Sequence, residues 1–375
     1  MQRTRYIAVH LLNDFSGSPR VLADFCTAQE IQSGALTLVT SGSEGFLHKD
    51  LGEIKSIWYP RGKSTLLNFL SFALAQVQLF TAVFLLVVRS LVHGEKVVVI
   101  NNTILCLGSM IASRLMGAHT IAYVHELGSG PAIMRTLAEK IINWTAHKVI
   151  FVSQFVSDQY RFENKRCFVL PNGLRSDFNT EQALDYEAKF RQRRVLFVGS
   201  LKSYKGVGEL LKISAKLPDT PFTAVLSCTQ KELDGFSSSN NVPKNLSLLS
   251  REPSLEKLFS ESFLVLNLSL PESCVETFGL TILEGMAFGC PCIVPPIGGH
   301  LGFFDSRCGL IVHSKETELI ADFIGELQRN EDVWRGFSDN ALAIASGYSA
   351  AAFIDRVDLL LREEFKSANS SRMNL

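Results

Sequence analysis

The chain has 375 residues, of which 46% are apolar and 20% charged. That composition is globular and excludes a disordered chain, and at roughly 150 residues per domain it predicts two domains, with a third as the upper bound. Lys+Arg and Asp+Glu both number 37, and a zero net charge argues against a protein that coats nucleic acid.

The balance shifts along the chain. Residues 1–175 carry 17 basic and 11 acidic side chains, and the remainder 20 and 26. Different partners for the two halves would account for this, as would ordinary surface variation. The opening run Tyr6–Leu12 is too short and too soon interrupted for a signal peptide. It reads as a first strand.

Strand, loop and helix then repeat. Apolar, β-branched runs predict strands at Ala35–Thr40, Ile54–Trp58, Val97–Ile100, Thr120–Val124 and Lys148–Val152. Helices are predicted at Arg20–Gln32, Ile104–Met116 and Ile133–His147. Strands without polar alternation, separated by helices, mean parallel sheets covered on both faces.

Leu66–Val88 has 23 residues without a charge, so length alone admits a membrane span. Asn68, Ser71, Gln76, Gln78 and Thr81 lower its apolarity. The strands predicted on either side argue further against spanning. If they share one sheet, the segment is a crossover helix, either buried in the core or lying against lipid.

After Val169-Leu170-Pro171-Asn172-Gly173 come some twenty polar residues, ending at Arg191-Gln192-Arg193-Arg194. They predict a domain boundary at 175/176. The alternation then restarts, with strands at Val195–Val198, Thr223–Leu226, Phe263–Leu268, Pro291–Pro295 and Leu310–Val312. Helices follow at Gly206–Lys216, Gly279–Phe288, Lys315–Gln328, Asp332–Ser346 and Ala350–Lys366. Residues 1–175 and 176–349 are thus two α/β domains, expected to face each other across a cleft at their strand carboxyl ends. Residues 350–375 form a helix and tail expected to pack back on the first domain.

The eight cysteines lie mostly in apolar runs, and none forms a CxxC pair. Cys290 and Cys292 are too close for an ordinary disulfide or zinc knuckle, and a reducing, cytoplasmic setting is expected.

The most informative segment runs from Pro271 to Pro291. Glu276 stands in a loop after an apolar strand, and Phe278-Gly279-Leu280 opens a helix carrying Glu284. Free amides at that helix start favour an anion, and Gly279 admits close approach to the backbone. Two carboxylates eight residues apart do not share a helical face, so they suit two parts of an extended ligand rather than one metal. Capped-helix ends with solvated carboxylates are the plain structural alternative.

Glu276, Phe278-Gly279 and Glu284, with Gly285-Met286-Ala287, resemble the E-x7-E signature of retaining GT-B glycosyltransferases of family 4 (glycosyl transferases group 1). Gly289-Cys290-Pro291 and Gly298-Gly299 fit the same pattern. The stretch Val198-Gly199-Ser200 to Lys205-Gly206 is similar to the family's V-G-R-L-x-x-x-K-G segment, and Pro171-Asn172-Gly173 to its interdomain turn. The resemblance implies a GT-B fold of two Rossmann-like, doubly wound domains, and a hexosyltransferase. It assigns ribose binding to Glu284, sugar contact to Glu276, and diphosphate binding to amides at Phe278, Gly279 and Leu280. Lys205 would neutralise leaving-group charge, as the chemistry of a departing nucleoside diphosphate itself requires. Gly17, in the first strand-to-helix loop, would face the donor. His125, after the strand ending at Val124, would stand near the sugar as a catalytic residue, and Glu126 would meet the acceptor. No metal or other cofactor is required.

Three departures stand out. Ser200 replaces the arginine of G-R-L and leaves Lys202 to compensate. Arg175 stands where the turn usually has aspartate. Gly298-Gly299-His300 lacks the glutamate that usually follows.

The expected reaction is transfer from a nucleotide sugar, with retention, to a saccharide or lipid-linked acceptor bound by the basic N-terminal half at the inner membrane surface. Bacterial surface polysaccharide synthesis is the expected setting, with no nucleic-acid partner. A catalytically silent nucleotide-sugar-binding protein and a nucleotide-sugar epimerase are the competing readings.

Overall fold

The computed structural model describes residues 3–62, 64–128, 132–162, 165–176, 178, 184–251 and 255–370. The chain divides into two compact units, Met1–Gly173 with Ala350–Leu375, and Leu174–Ser349.

In the first unit seven strands form one parallel sheet: β1 (Thr4–Val9), β2 (Ala35–Ser41), β3 (Glu53–Ile57), β4 (Lys96–Asn102), β5 (His119–Val124), β6 (Lys148–Phe151) and β7 (Arg166–Val169). Their order is β3-β2-β1-β4-β5-β6-β7, with Tyr6 in register between Leu36 and Val98. Strand order therefore reverses between β1 and β4, and that crevice is where open α/β sheets receive ligands. The helices are α1 (Gly17–Cys26), α2 (Gln29–Gln32), α3 (Thr65–Val92), α4 (Leu107–Leu115), α5 (Ala132–Thr145) and α6 (Gln154–Ser157). The helix expected over Arg20–Gln32 is broken in two. Thr27 turns its hydroxyl back to the Asp24 carbonyl at 2.7 Å, which competes with helix continuation.

Helix α3 joins β3 to β4 within the same sheet. It is a crossover rather than a span, although mean hydropathy reaches 2.1. Ser71, Ala75, Leu79, Val83, Leu86 and Val87 form its buried stripe. Gly108 of α4 comes so close that a Cβ there would lie 2.0 Å from the Gln76 carbonyl oxygen. The N-terminal turns of the helix leave Leu66, Leu67, Phe69, Leu70, Leu74 and Val77 exposed.

The second unit carries a six-stranded parallel sheet. Its elements are α7 (Tyr186–Gln192), β8 (Val195–Ser200), α8 (Val207–Lys216), β9 (Phe222–Ser227), α9 (Gln230–Ser239), β10 (Leu246–Ser250), α10 (Glu256–Ser260), β11 (Leu264–Leu266), α11 (Leu280–Ala287), β12 (Cys292–Val294), β13 (Gly309–Ile311), α12 (Thr317–Leu327) and α13 (Glu331–Ser346). The order β10-β9-β8-β11-β12-β13 places this sheet's reversal between β8 and β11. Trp334 is fully buried, stacks on Phe263 at 5.2 Å and donates its indole N–H to the Phe263 carbonyl.

Helix α7 falls in the stretch read as polar linker. Its Tyr186 and Phe190, four apart, pack against Trp334. The buried Lys189 between them donates its ammonium to the Phe288 carbonyl at the end of α11, a favourable place for a cation.

The last helix, α14 (Ala350–Ser370), belongs to the first unit. Asp358 accepts the N–H groups of Gln29 and Glu30 at 3.3 and 2.9 Å, capping α2. Lys148 on β6 donates to the Leu360 carbonyl at 2.7 Å. All eight cysteines are unpaired.

Candidate active site

Lys205 sits in a single 3-10 turn, Ser203–Lys205, directly after β8. Gly206 ends that turn at φ 80°, and a Cβ there would meet the Leu268 carbonyl oxygen at 2.1 Å. Only glycine permits this approach, and it brings the turn against the chain leaving β11. There the Lys205 ammonium meets the Glu276 carboxylate in an ion pair. Ser269 donates its hydroxyl to Glu276 Oε1 at 2.7 Å, and Asn267 Nδ2 approaches the same oxygen at 3.4 Å.

Burial acts on both charges and is outweighed. It pulls the Glu276 carboxyl upward, but Lys205, Ser269 and Asn267 hold it below the usual carboxylate range. Burial pulls Lys205 downward, and Glu276 holds it above the usual lysine value. The pair is therefore ionised throughout the neutral range.

Helix α11 begins beside Glu276. Gly279, at φ 95°, is its N-cap, with no side-chain cap on the first amides. Phe278 turns inward and packs on Phe303 at 5.0 Å, so only its backbone is available to a ligand. Leu280 also leans on the core. Glu284 is buried on α11, 4% exposed. The Gly298-Gly299 pair lies against Glu276: Gly299 N–H donates to the Glu276 carbonyl at 2.7 Å, and Gly298 holds φ 145°. Ser200 ends β8, and its carbonyl accepts the Lys202 N–H at 2.8 Å. The structure thus brings Lys205, Glu276 and the α11 start together around the β8/β11 reversal.

Gly17 and His125 belong to the other unit. Gly17 is the first residue of α1, whose N-cap Ser16 donates its N–H to Asp14 at 3.0 Å. His125 follows β5, is buried, and packs its ring on Tyr123 at 4.2 Å. Its Nε2 donates to Asn102 Oδ1 at 2.7 Å. The Asn102 amide donates in turn to the Ser18 carbonyl at 3.0 Å, and His10 Nδ1 lies 3.0 Å from that amide nitrogen and 3.2 Å from the Asn102 carbonyl. Burial lowers His10 to about 4 and His125 to about 3, so both are neutral at pH 7. Glu126, expected to meet an acceptor, instead takes the Ile104 N–H on one oxygen and the His125 N–H on the other. Asn172 of the Pro-Asn-Gly turn lies 3.5 Å from the Tyr123 hydroxyl.

Sequence reading missed His10, Asn102, Asn267 and Ser269. Each stands within three residues of a strand's carboxyl end, and that position beside an order reversal is the one signal that could have found them. Among the described residues no three His, Cys, Asp or Glu side chains are grouped to hold a metal ion.

Residues 180–344 match the family model described as glycosyl transferases group 1. The D-inositol 3-phosphate glycosyltransferase of Mycobacteroides abscessus is 28% identical over 258 residues, covering 64% of this chain and 58% of that protein. The chain thus spans little more than half the length of that relative. Among solved structures, Anabaena HepE in complex with UDP and glucose superposes with a TM-score of 0.75 at 18% identity, over 96% of this chain and 99% of that one. WaaG, a glycosyltransferase involved in lipopolysaccharide biosynthesis, gives a TM-score of 0.68 at 15% identity, over 95% and 99%.

Proposed function

Because the chain belongs to the glycosyl transferases group 1 family and has the GT-B fold, we propose that it is an enzyme moving a sugar from a nucleotide-sugar donor to a saccharide or lipid-linked acceptor, with retention at the anomeric carbon. The observation that carries this reading is the Lys205–Glu276 pair at the uncapped start of α11.

The donor is assigned to the C-terminal unit and the acceptor to the N-terminal unit. As the glycosidic bond breaks, negative charge grows on the leaving diphosphate. Lys205 and the first amides of α11 stabilise that charge. Glu276 then shares Lys205 with the diphosphate and turns its free oxygen to sugar hydroxyls, while Glu284 holds the ribose. The neutral His125 offers its imidazole to a sugar hydroxyl. No metal is required, and the working mechanism is front-face displacement in which the leaving phosphate takes the acceptor proton.

The donor complex with UDP and glucose reported for HepE supports a nucleotide-sugar donor here. The involvement of WaaG in lipopolysaccharide biosynthesis supports a setting in surface polysaccharide synthesis. The exposed apolar face of α3 supports peripheral contact with the inner membrane surface, its Leu66, Leu67, Phe69 and Leu70 entering the lipid.

The test is a panel of UDP, GDP, ADP and dTDP sugars. At a hundredfold excess over Kd, the matching donor stabilises by about 2.7 kcal/mol, read as a rise of several degrees in Tm, and it is slowly hydrolysed. If no nucleotide sugar shifts the melting curve, the reading fails. Donor binding without hydrolysis or transfer would instead support a silent binding protein. Sedimentation with anionic vesicles tests the membrane contact: Leu67→Ser with Leu70→Ser abolishes co-sedimentation if α3 is the contact.

A further inference from the structure

We infer that Glu126 is a positioning residue whose ionisation sets the β4–α4 turn and, through it, the seating of His125. The inference rests on the proposed role of His125 in transfer. It starts from a closed ring of hydrogen bonds joining the ends of β4 and β5. His125 Nε2 donates to Asn102 Oδ1 at 2.7 Å. Thr103 N–H donates to the Tyr123 carbonyl at 2.7 Å. Ile104 N–H donates to Glu126 Oε1 at 2.9 Å, and His125 N–H to Glu126 Oε2 at 3.1 Å.

Inside this ring Thr103 stands at φ 86°. A β-branched residue in the left-handed region is strained and persists only where its surroundings over-determine it. Here the bond on the next residue's amide, made by Glu126, is part of that constraint. The carboxylate is the strongest acceptor for both amides at once: protonation leaves a weaker acceptor on one oxygen, and glutamine puts an NH2 donor in its place, facing an N–H. Ionisation of Glu126 therefore sets how firmly the Ile104 and His125 amides, and with them the turn, are held.

The groups facing Glu126 come from several elements. Cys106 lies at the start of α4 and is pushed up to about 12. Tyr160 donates its hydroxyl to the Glu126 backbone carbonyl at 2.8 Å and is itself pushed upward, mainly by burial. Arg135 and Glu139 of α5, paired at 2.8 Å, act on Tyr160 from beyond. His125 and, through Asn102, His10 complete the set, both neutral above about pH 5. Burial raises Glu126 itself to about 7, against the pull of its amide partners. Of these groups Glu126 is the one that changes charge between pH 6 and 8.

The experiment is an amide NMR titration of the full-length protein from pH 5.5 to 8.5. The Ile104 and His125 amides are expected to shift together with one midpoint near 7, and this motion is lost in Glu126→Gln. Amides that stay flat across that range overturn the inference, as does the same midpoint persisting in Glu126→Gln. Should that variant fail to fold, the wild-type titration alone decides. The pH profile of donor hydrolysis adds a second readout. A limb near 7 disappears in Glu126→Gln, while kcat falls about tenfold and donor KM stays within twofold. If no donor is ever turned over but the amides titrate as stated, the functional reading fails and the role of Glu126 stands.

Discussion

Each unit reverses strand order beside its first strand, and at each reversal the chain gathers a polar cluster. The two clusters answer the same burial in opposite ways. In the C-terminal unit Lys205 and Glu276 keep their charges, because each faces the other and Ser269 and Asn267 satisfy the carboxylate. In the N-terminal unit His10 and His125 share the Asn102 amide, and burial outweighs the weaker pull of Asp14 and the backbone on His10 and strips the charge of both. Desolvation penalises a charge everywhere, and only a partner of opposite sign reverses the outcome. One unit thus holds an ionised pair and the other uncharged hydrogen-bonding groups, the division on which the proposed diphosphate and hydroxyl contacts rest.

The comparison breaks first at Lys205. Lys205→Ala removes the cation that would face the leaving group and leaves Glu276 with neutral partners. Turnover is expected to fall 10²- to 10³-fold, about 3 to 4 kcal/mol of lost transition-state stabilisation. Steady-state kinetics with the donor identified by the panel measures it. A change below threefold would remove Lys205 from the chemistry.

Next in size is the turn that delivers Lys205. Gly206→Ala drives a Cβ into the Leu268 carbonyl at a position with φ 80°. Strain and overpacking together are expected to cost about 3 kcal/mol, read as a lower urea midpoint for the C-terminal unit. The same change at Gly208, where a Cβ meets nothing within 4 Å, controls for the substitution itself.

The charged cluster was the more legible of the two in the sequence. Glu276, Gly279 and Glu284 stand within nine residues of one another, and Lys205-Gly206 sits in a recognisable turn. Local spacing carried those assignments. The neutral cluster is assembled from residues 10, 102 and 125, and no local pattern links them. It follows from strand order, which sequence periodicity leaves open. The same limit explains two of the elements that were missed. Helix α7 is held by Tyr186, Phe190 and Lys189 through contacts with distant residues, so its composition reads as linker. Strand β10 mixes Ser with Leu because it is an edge strand with one neighbour, β9. The apolar central strands, whose identity needs no partner to be recognised, were all found.

The smallest effect is the most specific to the neutral cluster. His10 and His125 titrate near 6.5 when unfolded but at about 4 and about 3 in the fold. Between those values the unfolded chain binds more protons, so stability is lost as pH falls below 7. Glu126 runs the other way. Its folded value of about 7 lies above the unfolded carboxylate value, so the native state binds the extra proton and gains stability over the same interval. From pH 7.5 to 5.5 the two histidines together remove about 3 kcal/mol and Glu126 returns about 2, a net loss of about 1 kcal/mol. Glu126→Gln deletes the opposing contribution, so the loss between those two pH values grows to nearly 3 kcal/mol. Urea denaturation of both proteins at the two pH values measures the difference. Equal pH slopes would mean that Glu126 titrates at its ordinary value and that the two backbone amides outweigh its burial.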